Sequence, residues 1–447
     1  MQSARECSSP CAHSRGWLWL ALGFLVGCCS GPSQSTWGAE PAPPPNILLI
    51  VSDDHAWTDY GFMGHPHVKT PNLDRLAHES LTFRRGYVPS SLCCPSLATI
   101  LTGLYPHQHK ITSNDPPLVP GMSGRDYHRS DVFLSGRKRM TEHMQSVPTL
   151  PRLLSEMGYV SLQTGKWWQG HYSHGGFTHG MTRGDRHGDE GLQIGRKTLQ
   201  PIEDFLDAAT EQNKPWMVWY APLLPHDPHT PPSEYLERTK PLAPTIHVAR
   251  YWAMVEWFDA TVGTLLQSLE QRGLADNTIV VYVADNGWIQ DPERPRYAPK
   301  SKQSPYDGGL RTPIMIRWPG KVQPNMSDDL AQSIDIVPTL LHALGARTPE
   351  ALPGIDLLSS AATADRQALY GECFTHNANN LDVPRENLRW RWIVRGEWKL
   401  IVPNPALETE GIEELYHLAS DPLEERNVRT EQPEIADAMR LELDGWW

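Results

Sequence analysis

Two short pairs set the chemistry open to this chain. Asp53-Asp54 and Asp285-Asn286 offer only oxygen donors. That suits a hard cation such as calcium, which takes about 6–8 oxygens at roughly 2.3–2.6 Å. No Cys or His cluster has the spacing of a tetrahedral zinc site. Between the pairs lies Cys93-Cys94-Pro95-Ser96-Leu97-Ala98-Thr99-Ile100-Leu101-Thr102-Gly103. Pro95 suits a first helical turn, and Leu97, Ile100 and Leu101 recur at helical spacing, so a buried helix is expected to start here. A nucleophile at that point faces unpaired N–H groups and the positive end of the helix dipole, both of which favour an anion. Lys166 and Lys302 add positive charge, and His226 and His229 in Pro225-His226-Asp227-Pro228-His229 add groups able to move a proton. In isolation such lysines are usually surface residues.

Most of these groups follow a segment that reads as a strand. Asn46 to Ser52 is a continuous apolar run, of the kind buried on both faces of a parallel sheet, and it ends in Asp53-Asp54. Tyr159 to Gln163 leads into Gly165-Lys166. Trp216 to Ala221 leads into the histidine loop, and Asn277 to Ala284 ends at Asp285-Asn286. Pro313 to Trp318 is a further strand. Helices are expected from Pro71, over Thr149 to Met157, over Ala249 to Leu269 and over Ile334 to Leu344. This alternation predicts an α/β fold, a mostly parallel sheet sandwiched by helices, whose ligands bind beyond the carboxyl ends of the strands. After about residue 365 the pattern changes. Gln367 to Cys373, Leu388 to Val394 and Trp398 to Val402 predict a smaller antiparallel sheet, closed by a helix from Pro433 to about Leu443.

The chain has 447 residues, a net charge of −12 and 39% hydrophobic residues, with a mean hydropathy of −0.46. An acidic balance of this size argues against nucleic acid as a partner. Arg5 and Arg15 precede a short apolar run from Trp17 to Cys29, too short to span a bilayer, so residues 1–39 read as a signal peptide. Leu25-Val26-Gly27-Cys28 also matches a lipoprotein signal, with Cys28 as candidate lipid anchor. Ordinary secretion with cleavage near Ala39 is the alternative. Either way the protein is expected to be exported: periplasmic, lipid-anchored or secreted, with no transmembrane span. Beyond that segment only Cys93, Cys94 and Cys373 remain. Adjacent cysteines lie about 3.8 Å apart, below the usual disulfide span, so a Cys93–Cys94 bridge is not expected.

The Cys93 segment resembles the C-x-P-S-R-x-x-x-x-T-G signature of type I sulfatases in the alkaline-phosphatase-like superfamily. Further blocks support the resemblance over most of residues 45 to 430. Gly165-Lys166-Trp167 is similar to G-K-W-H-x-G, and Asp285-Asn286-Gly287 to the D-N-G segment. Lys302 with Tyr306-Asp307-Gly308-Gly309 and Arg311 to Pro313 is similar to K-x-x-x-Y-E-G-G-x-R-x-P, and Leu415-Tyr416 to Asn427 to the C-terminal block. The resemblance implies a catalytic domain over 40–365 and a C-terminal α+β subdomain over 366–447. It also implies that Cys93 is oxidised to formylglycine by a formylglycine-generating enzyme. Asp53, Asp54, Asp285, Asn286 and the modified Cys93 would hold Ca2+. Lys166 and Lys302 would neutralise a sulfate, and His226 or His229 would protonate the leaving alcohol.

Two positions depart from the pattern. Leu97 stands where the family has arginine, and Trp168 where it has histidine. His171 and His174 are near enough in sequence to compensate, and Lys300 could serve in place of Lys302. The leading expectation is a sulfuric ester hydrolase acting on a sulfated small molecule or glycan. A phosphodiester or phosphonate hydrolase on the same fold, and a non-catalytic pseudo-sulfatase that binds sulfated glycans, are the alternatives.

Overall fold

The computed structural model describes residues 43–184 and 186–447. The expected signal peptide, with Cys28 as candidate lipid anchor, lies outside these residues. Among the described residues no helix is long and apolar enough to cross a membrane.

The main sheet is built from β1 (Asn46–Ser52), β2 (Leu81–Tyr87), β3 (Val160–Gly165), β4 (His179–Gly180), β5 (Trp216–Ala221), β6 (Thr278–Ala284), β7 (Ile314–Arg317) and β8 (Asn325–Gln332). Their order is β4-β3-β5-β1-β6-β7-β2-β8. Neighbours pair in parallel except at β7, which runs against both β6 and β2. β1 explains the sandwich. Its side chains alternate, with Ile47, Leu49 and Val51 joining a core on one face that includes Leu97, Ile100 and Leu101. Leu48 and Ile50 join a core on the other face that includes Met254, Phe258, Val262 and Leu265. Each such buried side chain contributes about 1.5–3 kcal/mol. The face with Met254 and Phe258 is covered by the long helix Ile246–Gln271, capped by Thr245, whose side chain accepts from the Val248 N–H.

Register brings the strand ends together. Ser52 pairs with Ala284, Ile50 with Tyr220 and Gly165 with Ala221. The residues that follow β1, β3, β5 and β6 therefore emerge side by side. Gly165 is required there: its φ is +76°, and a Cβ on it would sit 1.9 Å from the Ala221 carbonyl oxygen.

A second, antiparallel sheet orders β12-β11-β10-β9, from β9 (Ala368–Phe374), β10 (Leu388–Arg395), β11 (Trp398–Pro403) and β12 (Glu414–His417). The helix Pro433–Trp446 packs Ala436, Met439 and Leu443 against Ile393, Leu400 and Leu415. Buried charges tie this sheet to the segment after Lys302. Lys399 Nζ lies 2.8 Å from Asp307 and 2.9 Å from Glu424, and Glu424 accepts from the Asp307 N–H at 2.6 Å.

β2 and β8 and the helices Asp131–Gln145 and Gln200–Glu211 were not foreseen from sequence. β2 carries Arg84-Arg85, and β8 reads NMSDDLAQ. Both lie toward one edge of the sheet, where polar residues reach solvent and the apolar pattern breaks.

Candidate functional site

The residues singled out from sequence converge at the carboxyl ends of β1, β3, β5 and β6. Asp53 and Asp54 follow β1, and backbone hydrogen bonds from Asp53 N–H to Leu224 O and from Asp285 N–H to Ser52 O, each 2.9 Å, lock the adjoining loops to it. Asp54 adopts φ +64°, a left-handed conformation uncommon outside glycine. Neighbours hold it there. Its N–H donates to Asp285 Oδ1 at 3.0 Å, and its carboxylate accepts from Asn286 Nδ2 at 2.6 Å. Asp285 Oδ1 also accepts from the Asn286 N–H at 2.7 Å.

Lys166 Nζ lies 2.6 Å from Asp53 and 3.8 Å from Asp285. Lys302 Nζ lies 2.7 Å from Asp54. Three buried carboxylates thus face two ammonium groups, an excess of negative charge in low dielectric. The pKa values respond to it. Burial raises Asp53 and Asp285 above the usual carboxylate range, against the pull of Lys166. Burial pushes Asp54 the same way, but Lys302, His226 and Lys166 outweigh it and hold Asp54 low. Both lysines stay charged because the acids outweigh their desolvation.

Three buried oxygens here, Asp53 Oδ2, Asp285 Oδ2 and Asn286 Oδ1, have no hydrogen-bond partner. Ligand atoms of Asp53, Asp54, Cys93 and His226 lie within 4.8 Å of one another. Unsatisfied oxygens and excess negative charge fit an oxygen-seeking cation.

Cys93 opens the helix Cys93–Thr102, whose ten residues are all buried, with Gly103 ending it at φ +70°. Burial pushes the Cys93 thiol up to about 12, although Lys166 and Lys302 pull it down. Cys94 is engaged elsewhere: its N–H donates to Asn114 Oδ1 at 2.9 Å, and its sulfur accepts from Gln169 Nε2 at 3.2 Å. Leu97 points into the core and is 3% exposed.

His226 stands in the cluster, with Nε2 3.5 Å from Asp54 and Nδ1 2.5 Å from the Asp227 carbonyl oxygen. Burial and the two lysines push it well below the usual imidazole range, despite Asp54. His229 lies one layer out, its ring 5.4 Å from Tyr251 and 5.5 Å from Trp288, and burial lowers it to about 4. Lys302 stands 5.7 Å from the same Trp288 ring. Lys300 is not an alternative to Lys302: it bonds the Glu424 carbonyl oxygen and stacks on Tyr306 at 4.6 Å.

The surroundings of Trp168 were not legible in the sequence. Its ring is 6.0 Å from Lys166 Nζ and edge-on to His187 at 4.3 Å. His187 lies 6.1 Å from His226, in a loop with left-handed φ at His187 and Gly188. Arg186 and Arg137 also stack on Trp168, at 4.7 and 5.4 Å. His171 and His174 line a neighbouring cleft, where His171 Nδ1 lies 2.9 Å from Ser173 Oγ and His174 Nδ1 2.8 Å from the Gln169 carbonyl oxygen.

Comparison with known proteins agrees with this arrangement. The sulfatase family model matches residues 45–346, and one described as N-sulphoglucosamine sulphohydrolase, C-terminal, matches residues 300–444. N-acetylgalactosamine-6-sulfatase of Homo sapiens is 30% identical over 405 residues, covering 79% of this chain and 73% of that protein. The fold resembles the crystal structure of Ps i-CgsB, with TM-score 0.71, 22% identity, and 90% of this chain and 92% of that one covered. It also resembles the phosphonate monoester hydrolase of Agrobacterium radiobacter, with TM-score 0.66, 18% identity, and 90% and 95% covered. The match over most of its length, with metal-ready oxygens, cysteine and lysines gathered at one set of strand ends, means that this chain belongs to the sulfatase family, the hydrolases of sulfuric esters.

Proposed function

We propose that the protein removes sulfate from a carbohydrate sulfate ester, with Cys93 as the precursor of the nucleophile. The observation that carries this is the gathering of Cys93, Lys166 and Lys302 around four oxygen-donor residues, three of which have an unpartnered buried oxygen. A thiol pushed up to about 12 is a poor nucleophile at neutral pH. Formylglycine made from Cys93 by a formylglycine-generating enzyme would supply an aldehyde hydrate in its place. Asp53, Asp54, Asp285 and Asn286 would hold Ca2+, which when bound supplies positive charge against the sulfate oxygens.

The chain's own residues support the rest. Lys166 and Lys302 are fixed, charged and buried, so they can neutralise charge growing on the sulfate without reorganising. His226, with Nδ1 held by the Asp227 carbonyl oxygen, presents Nε2 to the site, and would hand a proton to the leaving alcohol once Nε2 has taken one up. His229, packed against Tyr251 and Trp288, is the second candidate for that proton transfer. His187 stands against Trp168 and beside His226, and takes the part of the histidine absent at 168.

Sulfated carbohydrate is favoured as substrate by the relative that is named for its action as an N-acetylgalactosamine-6-sulfatase. Export through residues 1–39 fits such a substrate. The phosphonate hydrolase reading retains the likeness of fold alone. One assay separates the readings: release of sulfate from a sulfated sugar and from 4-nitrophenyl sulfate, set against phosphate monoester, diester and phosphonate, with Cys93→Ala as blank. Sulfate release lost in the variant supports the proposal. Faster phosphonate or phosphodiester cleavage overturns it, and no release from any ester points to a binding protein.

A further inference from the structure

Next to the Cys93 site, beyond Trp168, lies a cleft of about 810 Å³ between the helix Asp131–Gln145 and residues 170–184 with Arg186. Its walls carry Arg137, Lys138, Arg183, Arg186, His171 and His174. This is a concentration of positive charge in a chain whose net charge is −12. Counter-charges are few. Arg186 is held by Asp115 at 2.7 and 2.8 Å. Glu142, the acid on the cleft wall among the described residues, is engaged by Arg139 at 2.9 Å. Arg137 donates to the Asn114 carbonyl oxygen at 3.0 Å. Lys138 and Arg183 are exposed; Asp189 accepts from the Arg183 N–H at 2.8 Å, while the Arg183 guanidinium lies over the Tyr172 ring at 5.6 Å. Such a field draws anions and repels cations.

Two further features give the cleft a direction. Phe133 and Leu134 line it as well, and Leu134 is 56% exposed, so the cations surround an apolar surface of the kind that meets the face of a sugar ring. The cleft also shares a wall with the reaction site. Arg137 and Arg186 lie over the Trp168 ring, and Lys166 Nζ is 6.0 Å from the same ring. A glycan that places one sulfate at Cys93 would carry its neighbouring sugar toward Arg137 and Arg186 in this basic cleft. Trp168 itself is 2% exposed, so Arg137 and Arg186, packed on its ring, are the groups that face the cleft.

We infer that the cleft binds a second anionic group, sulfate or carboxylate, on the sugar adjacent to the one that loses its sulfate, so that the preferred ligand is a multiply charged glycan. The inference rests on the sulfatase reading of the Cys93 site only for the identity of the first anion.

The test measures binding, not turnover, on full-length Cys93→Ala protein by calorimetry. Three tetrasaccharides serve as probes: a galactan sulfated on each disaccharide, one with a single sulfate and two uronates, and one with a single sulfate and no other charge. The first or the second should bind about tenfold more tightly than the third, a gain weakened by added salt. Which of the two gains more identifies sulfate or carboxylate as the second group. The gain should vanish in Lys138→Glu/Arg183→Glu, both exposed positions, and persist in Lys321→Glu, an exposed charge control. Equal binding of all three probes, or a gain that survives the double substitution, would overturn the inference. Sulfate release by the unsubstituted protein is scored separately, so its absence counts against the sulfatase reading while the binding result still decides the cleft.

Discussion

Lys302 Nζ stands 2.7 Å from the Asp54 carboxylate, though the two residues are 248 positions apart. The pair couples the acidic end of β1 to a loop that follows β6, and it is buried on both sides. Breaking it leaves an uncompensated charge beside Cys93. Lys302→Ala should therefore lower kcat for 4-nitrophenyl sulfate by about 10²–10³-fold, the usual cost of losing one preorganised electrostatic group. Retained kcat would remove Lys302 from the site.

Cys93 and Cys94 should behave differently. Cys93→Ala should abolish sulfate release. Cys94→Ala should keep most of it, with a stability loss of about 1–2 kcal/mol from its buried contacts with Asn114 and Gln169. Peptide mass spectrometry on protein from the native host should find the Cys93 residue lighter than cysteine. The reverse pattern of activity would mean the nucleophile lies one residue on.

A cation site with surplus negative charge should respond to chelation. Treatment with a calcium chelator should lower Tm and sulfate release, and calcium should restore both. At a hundredfold excess over Kd the bound ion adds roughly 2.7 kcal/mol. Asp285→Asn should blunt the response. A Tm indifferent to chelator and calcium would count against a metal held by Asp53, Asp54, Asp285 and Asn286.

Leu97→Arg places a guanidinium in the packed core with Ile100 and Leu101. An uncompensated buried charge costs about 3–5 kcal/mol, so Tm should fall with no gain in activity. A stable and more active variant would show that the leucine is a simple loss.

Glu424 gives a pH signature. Burial, with Asp307 competing for Lys399, raises it from 4.5 to about 7. The folded state then binds more protons than the unfolded chain between these values. Its contribution to stability is full below 4.5 and is lost as pH rises through about 7. Glu424→Gln should flatten the dependence of Tm on pH in that window, and an unchanged slope would reject the shift.

The strands that end in chemistry were legible because β1 and β6 are apolar runs that give way at once to acid and amide, and β5 is an apolar run followed by a proline-bounded loop that carries the histidines. The helix at Cys93 was legible from Pro95 and its apolar spacing, and Leu97 lies in the core as that spacing required. Arg137, Arg186 and His187 were not. They meet at Trp168 from separate segments, in contacts that no local period encodes, and the loop bearing His187 depends on left-handed backbone at a non-glycine residue.

The ten buried residues of Cys93–Thr102 impose an order in time. Once the sheet has closed over them, Cys93 is 1% exposed, and no second protein can grip the peptide around it. Any enzyme that rewrites Cys93 must reach it before the chain has folded, ahead of Asp285 and Lys302, which arrive from 192 and 209 residues downstream to seal the site. Refolded protein whose Cys93 escaped that encounter would have the right shape and carry an ordinary thiol for good.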